Sequence, residues 1–291
     1  MNIAILSRNK NLYSTNRLFN AGTKRGHTIH VIDYLRCYIN IGKNKTAIYY
    51  NGNELDNYDA VLPRIGASQT SYGTSIVRQF EMSGNFVINK SDAIIASRDK
   101  LRSLQILAKH GIDMPITGYA SQTMDIHDVI EKVGKTPLIM KLLQGTQGNG
   151  MVLAETMKAA ESVMNAFKQV DADILVQEFI KESAGIDVRA IVVGNKVVAA
   201  MQRVAPAGEF RSNVHRGAAT KHISLTQKEE EIAINSTKIL GLSVAGVDLM
   251  RSNRGPLVLE GNSSPGLQGI ELLTGADVAG EIISFIESSS K

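Results

Sequence analysis

Val244-Ala-Gly-Val-Asp-Leu-Met-Arg-Ser-Asn-Arg-Gly-Pro-Leu-Val-Leu-Glu-Gly-Asn262 reads as two strands folded back on each other. With Asn253-Arg254-Gly255 as a three-residue hairpin loop, Gly255 takes the left-handed position that such a loop requires. Asp248 then lies opposite Glu260. Side chains alternate faces along a strand, so Val247, Leu249, Leu257 and Leu259 share an apolar face, while Asp248, Glu260 and Asn262 share the other. Two carboxylates and an amide oxygen are thereby gathered from Cβ atoms roughly 5 Å apart. Like charges facing each other are destabilising unless a cation sits between them. An all-oxygen set suits a hard ion such as Mg²⁺, which uses a few carboxylates and completes its shell with substrate phosphates. The same pattern also fits two acids on a solvated sheet face, each pointing into water.

A second feature lies upstream. Lys141 interrupts the apolar strand Pro137-Leu-Ile-Met-Lys-Leu-Leu143, where a lysine must snorkel to water or meet an anion. Gly145-Thr-Gln-Gly-Asn-Gly150 follows and opens a strand, Met151 to Leu153. This is neither a Walker loop nor a dinucleotide fingerprint, because the Gly-Lys-Ser/Thr ending is missing and the glycine order differs. A glycine-rich flap can still offer backbone N–H groups to phosphates; a surface hairpin fits the segment equally. Lys100, Arg189, Arg203 and Arg211 complete the candidate set, with Arg211-Ser212-Asn213 following a turn at Gly208. Taken singly, each reads as an ion-pair partner; beside the acid pair, they read together as a polyphosphate site. The six histidines show no metal-ligand spacing.

Composition narrows the class. Hydrophobic residues are 43% and charged residues 21% of 291, an ordinary balance for a globular chain of about two domains. A lone cysteine, Cys37, excludes an internal disulfide framework and suits a reducing, cytoplasmic setting. The apolar run Ile3 to Leu6 is too short for a secretory core, and no run approaches the ~18 residues a membrane span needs. A net charge of +4 points to an anionic partner. Scattered basic residues, 5% aromatics and no tryptophan argue against a nucleic-acid surface.

Along the first ninety residues, strands at 2–6, Thr28 to Ile32, Ala60 to Leu62 and Phe86 to Ile88 alternate with helices at Leu12 to Arg25 and Tyr72 to Ser83, implying a largely parallel sheet. Asn51-Gly52 after Ala47 to Tyr50 predicts a type I′ hairpin. Helices are expected at Leu101 to His110, Asp125 to Val133, after Thr226 and at Val278 to Glu287, where Thr226 and Glu229 stand at capping-box spacing. Beyond Pro137 the strands come in antiparallel pairs, Gly194-Asn195 joining one of them.

Several of these segments resemble the RimK family of ATP-grasp ligases nearly end to end. The similarity is carried by Pro63-Arg-Ile-Gly66, Val77-Arg-Gln-Phe-Glu81, Ser97-Arg-Asp-Lys-Leu101, Gly145-Thr-Gln-Gly148, Val176-Gln-Glu-Phe-Ile180, Phe210-Arg-Ser-Asn213, His215-Arg-Gly217 and Asn262-Ser-Ser-Pro-Gly266. The resemblance implies an α/β (α+β) ATP-grasp fold: an N-terminal α/β domain over 1–97, a central subdomain with the flap over 98–178, and a C-terminal antiparallel-sheet subdomain over 179–291. It implies that Lys100 and Lys141 reach ATP phosphates, that Glu178 and Phe179 form the adenine hinge, and that Asp187 serves the ribose. Arg211, Ser212 and Asn213 would complete the nucleotide site. Asp248, Glu260 and Asn262 would bind Mg²⁺ or Mn²⁺, as two ions, and Arg189 and Arg203 would hold phosphate or a substrate carboxylate.

The activity implied is addition of L-glutamate, through an acylphosphate, to the C-terminus of a small-subunit ribosomal protein by a cytoplasmic homo-oligomer, with a tetramer as one such assembly. Direct contact with nucleic acid or membrane is not implied. Gln144, Gln268 and Gly261 depart from the family pattern, which touches acceptor and amino-acid choice more than ATP use. Two other readings stay open: a ligase acting on a small molecule or carrier protein, or making free polyglutamate, and a non-catalytic nucleotide-binding module.

Overall fold

The structure, a computed structural model, describes residues 1–43, 46–121, 125–143, 150–170, 172–212 and 217–290. The first part is an α/β layer. Strands β1 (Asn2–Leu6), β2 (Thr28–Ile32), β6 (Ala60–Pro63) and β7 (Phe86–Val87) form a parallel sheet in the order β2-β1-β6-β7. The run Ile3-Ala-Ile-Leu6 is continuous because this sheet is covered on both faces, and all four residues are fully buried. One face carries α2 (Thr70–Met82) through Ile76, Val77 and Phe80. The other receives α1 (Tyr13–Lys24) and the C-terminal helix α9 (Val278–Ser289) through Leu18, Ile282, Ile283 and Ile286. A small antiparallel sheet, β3 (Cys37–Ile41), β4 (Thr46–Tyr50) and β5 (Asn53–Glu54), flanks it. Asn51 and Gly52 take the positive φ angles, 52° and 81°, that the type I′ reading requires.

Helices α3 (Ser91–Arg98) and α4 (Lys100–Lys109) lead out of this layer. The central sheet has antiparallel order β10-β9-β11-β8, from β8 (Thr117–Ala120), β9 (Leu138–Leu142), β10 (Met151–Ala154) and β11 (Ile174–Glu178). Helices α5 (Ile126–Val133) and α6 (Met157–Lys168) cover one face through Leu138, Met140, Ile174 and Val176. Lys141, Leu175 and Gln177 belong to the other face, since Lys141 pairs with Leu175.

The third sheet is antiparallel with order β14-β13-β12-β15-β16: β12 (Ile186–Val193), β13 (Lys196–Val204), β14 (Ala219–His222), β15 (Val244–Ser252) and β16 (Gly255–Asn262). Helix α7 (Gln227–Ile239) covers one face, starting at Thr226 with the capping box its spacing predicts. The opposite face is divided along its strands. Ile191, Val193, Met201 and Val244 pack into the core shared with α9 and the short helix α8 (Gln268–Thr274). Two to four residues further along the same strands, the inward positions become Arg189, Asp187, Arg203 and Asp248. One sheet face thus serves as core at one end and as a charged floor at the other.

The Val244–Asn262 hairpin differs from expectation in one respect. Ser252 pairs with Gly255, so the loop has two residues, Asn253 and Arg254, and an irregularity follows Asp248 that restores the pairing of Asp248 with Glu260. Because of that irregularity, Leu249 faces Val258, and these two sit in the α7 core with Val247; Leu257 and Leu259 do not share that face.

Candidate active site

The charged floor is a chain of ion pairs. Arg189 straddles the Asp248 carboxylate, donating from Nε to Oδ1 and from Nη2 to Oδ2, both at 2.7 Å. Arg203 donates to the same Asp248 Oδ2 at 2.9 Å and to both oxygens of Asp187, at 2.5 and 2.6 Å. The Ser212 hydroxyl closes the chain by donating to Asp187. Asp248 is 4% exposed, Arg203 3% and Asp187 6%. Burial works to raise the pKa of Asp248, but Arg189 and Arg203 outweigh it and hold the carboxyl at about 2. Asp248 is therefore a fixed anion, set in direction by two guanidiniums.

Glu260 behaves differently. It lies opposite Asp248 as expected, yet it is exposed. Asn262 donates from Nδ2 to Glu260 Oε1 at 3.2 Å and to the Gly246 carbonyl at 3.3 Å, which leaves Asn262 Oδ1 as the free end of the amide. Two lysines come within electrostatic reach of Glu260. Lys141 donates to Gln177 Oε1 at 2.6 Å, and Gln177 is anchored in turn on Thr117 Oγ1 at 2.9 Å. Burial lowers the Lys141 pKa to about 8, with Glu260 pulling the other way and Lys100 adding to the depression. Lys100, in the first turn of α4, donates to the carbonyls of Leu142 and Leu143 at 3.0 and 3.1 Å, the two residues that lead into the glycine-rich segment. Its pKa is also lowered by burial, against the attraction of Glu260.

The donor set fits a hard divalent ion. Asp248 already accepts three N–H bonds, so its two oxygens retain about one open lone pair, while the exposed Glu260 and the free Asn262 Oδ1 lie beside it. Among the described residues no cluster of three or more His, Cys, Asp or Glu could hold a metal. An ion here would therefore be completed by ligand oxygens, as Mg²⁺ is on a triphosphate.

Other expected residues have different surroundings. Asp187 accepts hydrogen bonds from Arg203 on both oxygens and from the Ser212 hydroxyl, so it orients Arg203. Arg203 is buried in the floor and bonded to Asp248; Arg189 is half-buried, and its Nη1 has no hydrogen-bond partner among the described residues. Arg211 lies on the Glu209 carboxylate, at 2.9 and 2.6 Å, and over the Phe210 ring. Glu178 gives its backbone N–H to the Ile116 carbonyl at 2.9 Å, and its carboxylate is clamped by Arg254, so a base at this hinge would be met by other backbone groups of the Glu178-Phe179 segment. Asn213, His215, Gln144 and the Gly145–Gly148 part of the flap lie outside the described residues.

Sequence reading missed Gln177, Arg254 and Glu209. Gln177 and Arg254 acquire their roles by packing beside residues distant in the chain, whereas Glu209 holds Arg211 two residues away. Gln177 did carry one clue, a polar side chain at the end of the buried run Ile174 to Gln177.

Residues 1–94 match the RimK PreATP-grasp domain and residues 97–286 the RimK-like ATP-grasp domain. The chain is 60% identical to "Probable alpha-L-glutamate ligase 1" of Hahella chejuensis, across all of this chain and 96% of that protein. It is also 60% identical to "Probable alpha-L-glutamate ligase" of Methanococcoides burtonii, across all of this chain and 97% of that one. Among solved structures, the fold resembles the ATP-grasp ligase PsnB complexed with a phosphomimetic variant of its minimal precursor, Mg and ADP (TM-score 0.77, 19% identity, 100% of this chain and 98% of that one). It also resembles D-alanine–D-alanine ligase of Bacillus anthracis complexed with ATP (TM-score 0.69, 19% identity, 100% and 97%).

Proposed function

The chain belongs to the RimK family of ATP-grasp carboxylate–amine ligases, and from that membership we propose that it joins L-glutamate to the C-terminal carboxylate of an acidic protein tail, with a small-subunit ribosomal protein as acceptor. The observation that carries the reading is that two lysines, Lys100 and Lys141, come within electrostatic reach of Glu260, which pairs with Asp248 and accepts a hydrogen bond from Asn262. That array has the signs a Mg-triphosphate requires: cations for phosphate oxygens on one wall, oxygen ligands for the ion on the other.

The acceptor carboxylate attacks the γ-phosphorus of ATP, breaking the bond to ADP and forming an acylphosphate. The glutamate amine then attacks the acyl carbon and phosphate leaves, so one amide forms for each ATP converted to ADP and phosphate. No protein nucleophile is consumed. A divalent ion held by Asp248, Glu260 and Asn262 would neutralise charge developing on the phosphates. Lys141, steadied by Gln177, and Lys100 supply fixed positive charge to the same oxygens. Arg203 and Asp187 hold the floor rigid, so little reorganisation accompanies phosphoryl transfer.

The test is direct. Incubated with ATP, Mg²⁺, glutamate and ribosomal proteins, the enzyme should produce mass gains of one or more glutamyl units on a single ribosomal protein. ADP formation that needs glutamate but no protein would redirect the reading to a small acceptor. No ADP under any of these conditions would overturn it.

A further inference from the structure

The N-terminal sheet carries a crevice that the ligase reading does not use. In the order β2-β1-β6-β7, chain connections diverge between β1 and β6, and in open parallel sheets ligands settle outside the carboxyl ends of strands at such a point. A cavity of about 510 Å³ lies there, lined by Ser7 and Arg8 after β1, Asp33 and Tyr34 after β2, and Arg64 and Gly66 after β6.

Its charge is unbalanced. Arg64 is half-buried and donates to one protein acceptor, the Pro265 carbonyl at 2.8 Å. Arg98 spends its donors on Thr70 Oγ1 at 2.7 Å and on the carbonyls of Gly66 and Ile65, while Arg8 is exposed. None of the three pairs with a carboxylate among the described residues. Burial, with Arg98 alongside, lowers the Arg64 pKa to about 10. A desolvated guanidinium without a counter-charge is costly, and an anionic ligand would relieve that cost. Asp33, whose Oδ1 accepts the Leu35 N–H at 3.1 Å, gives the crevice an acceptor as well, suited to a peptide N–H.

The crevice adjoins the reaction site. Pro265, held by Arg64, lies three residues beyond Asn262, and the intervening Ser263 and Ser264 hydroxyls are buried with no hydrogen-bond partner among the described residues. A chain entering the cleft with its C-terminal carboxylate at the cation ligands would therefore pass Arg64 with the residues that precede it.

We propose that this crevice docks the acidic peptide tail of the acceptor, Arg64 and Arg8 taking carboxylates next to the one that reacts. The assignment rests on the ligase reading for its choice of a peptide ligand. It also predicts processivity: every glutamate added supplies a new side-chain carboxylate for the crevice.

The experiment is fluorescence anisotropy of N-terminally labelled tetraglutamate on the full-length protein without ATP. Wild type should bind it, more weakly as salt rises, and Arg8→Ala and Arg64→Met should each weaken binding about tenfold. Unlabelled tetra-alanine and free glutamate should compete poorly. If Arg64→Met does not fold, Arg64→Lys, which keeps the charge and loses the fork, carries the same test with Arg8→Ala. Unchanged binding in folded variants, or competition by free glutamate equal to that of tetraglutamate, overturns the proposal. Arg8-dependent binding without glutamyl transfer supports the crevice and removes the ligase reading. Transfer with an unchanged acceptor KM in Arg8→Ala removes the crevice and leaves the ligase reading standing.

Discussion

Asp248 and Glu260 face each other, yet they answer differently to substitution. Asp248 neutralises Arg189 and shares Arg203 with Asp187, so Asp248→Asn takes from Arg189 its carboxylate in the floor and should cost about 3–5 kcal/mol of stability as well as turnover. Glu260 is exposed and, among the described residues, bonded only to Asn262, so Glu260→Gln should change stability by no more than about 0.5 kcal/mol while turnover is lost. Urea titrations beside ADP-release assays separate the two effects; equal destabilisation by both variants would refute the asymmetry. Lys141 adds a pH signature. Its folded pKa of about 8 lies below the ordinary lysine value, so burial opposes the charged form, and that penalty on folding fades as pH rises through about 8. Nucleotide binding needs the ammonium. ATP affinity should therefore fall as pH rises past 8, by up to about tenfold at pH 9, and the dependence should flatten in Lys141→Met. A fluorescent ATP analogue titrated from pH 6.5 to 9 would show this.

At the scale of elements, the hairpin β15–β16 and helix α7 are coupled through a glycine. Gly261 lies between two of the expected metal ligands and opposite Val247; a Cβ there would meet the Leu240 Cδ1 at 2.7 Å. The bulk missing at this position is supplied by the end of α7. Gly261→Ala needs only a shift of the Leu240 side chain and should cost under about 1 kcal/mol, whereas Gly261→Ile overpacks and should cost about 1–3 kcal/mol. Leu240→Ala combined with Gly261→Ile should recover part of that loss in thermal denaturation. The capping box of α7 is a local device, and Thr226→Ala should cost about 1 kcal/mol with no change in KM for ATP. The cap, the type I′ turn at Asn51-Gly52 and the parallel strand Ile3 to Leu6 were all legible in sequence, because each depends on neighbours in the chain. The length of the Asn253-Arg254 loop was not, since the irregularity after Asp248 is imposed by packing Leu249 and Val258 beneath α7.

Across the whole molecule, the last helix completes the first sheet. Ile282, Ile283 and Ile286 of α9 share a core with Ile3, Ile5 and Leu18, and Arg25 and His27 both engage Glu287 at the rim. Ile283→Ala should cost about 2–5 kcal/mol and shift the thermal unfolding of the N-terminal and C-terminal parts together, as one transition. Two separate transitions, only one of them moved, would contradict this coupling. The same interlock keeps the crevice at β1 and β6 beside the loop after Asn262, held there by Arg64 on Pro265.

What the chain's order alone determined were the alternating α/β start, the antiparallel remainder and the opposition of Asp248 to Glu260, since periodicity, caps and turn residues act over a few neighbouring positions. It also marked Lys141 as a lysine that must either snorkel to water or meet an anion. Tertiary structure alone decided that Asp187 and Arg203 face each other within the floor, that Gln177 steadies Lys141, and that Arg64 meets no carboxylate among the described residues. Those relations join residues distant in the chain, and in each case burial, which no local pattern specifies, sets whether a charge must find a partner.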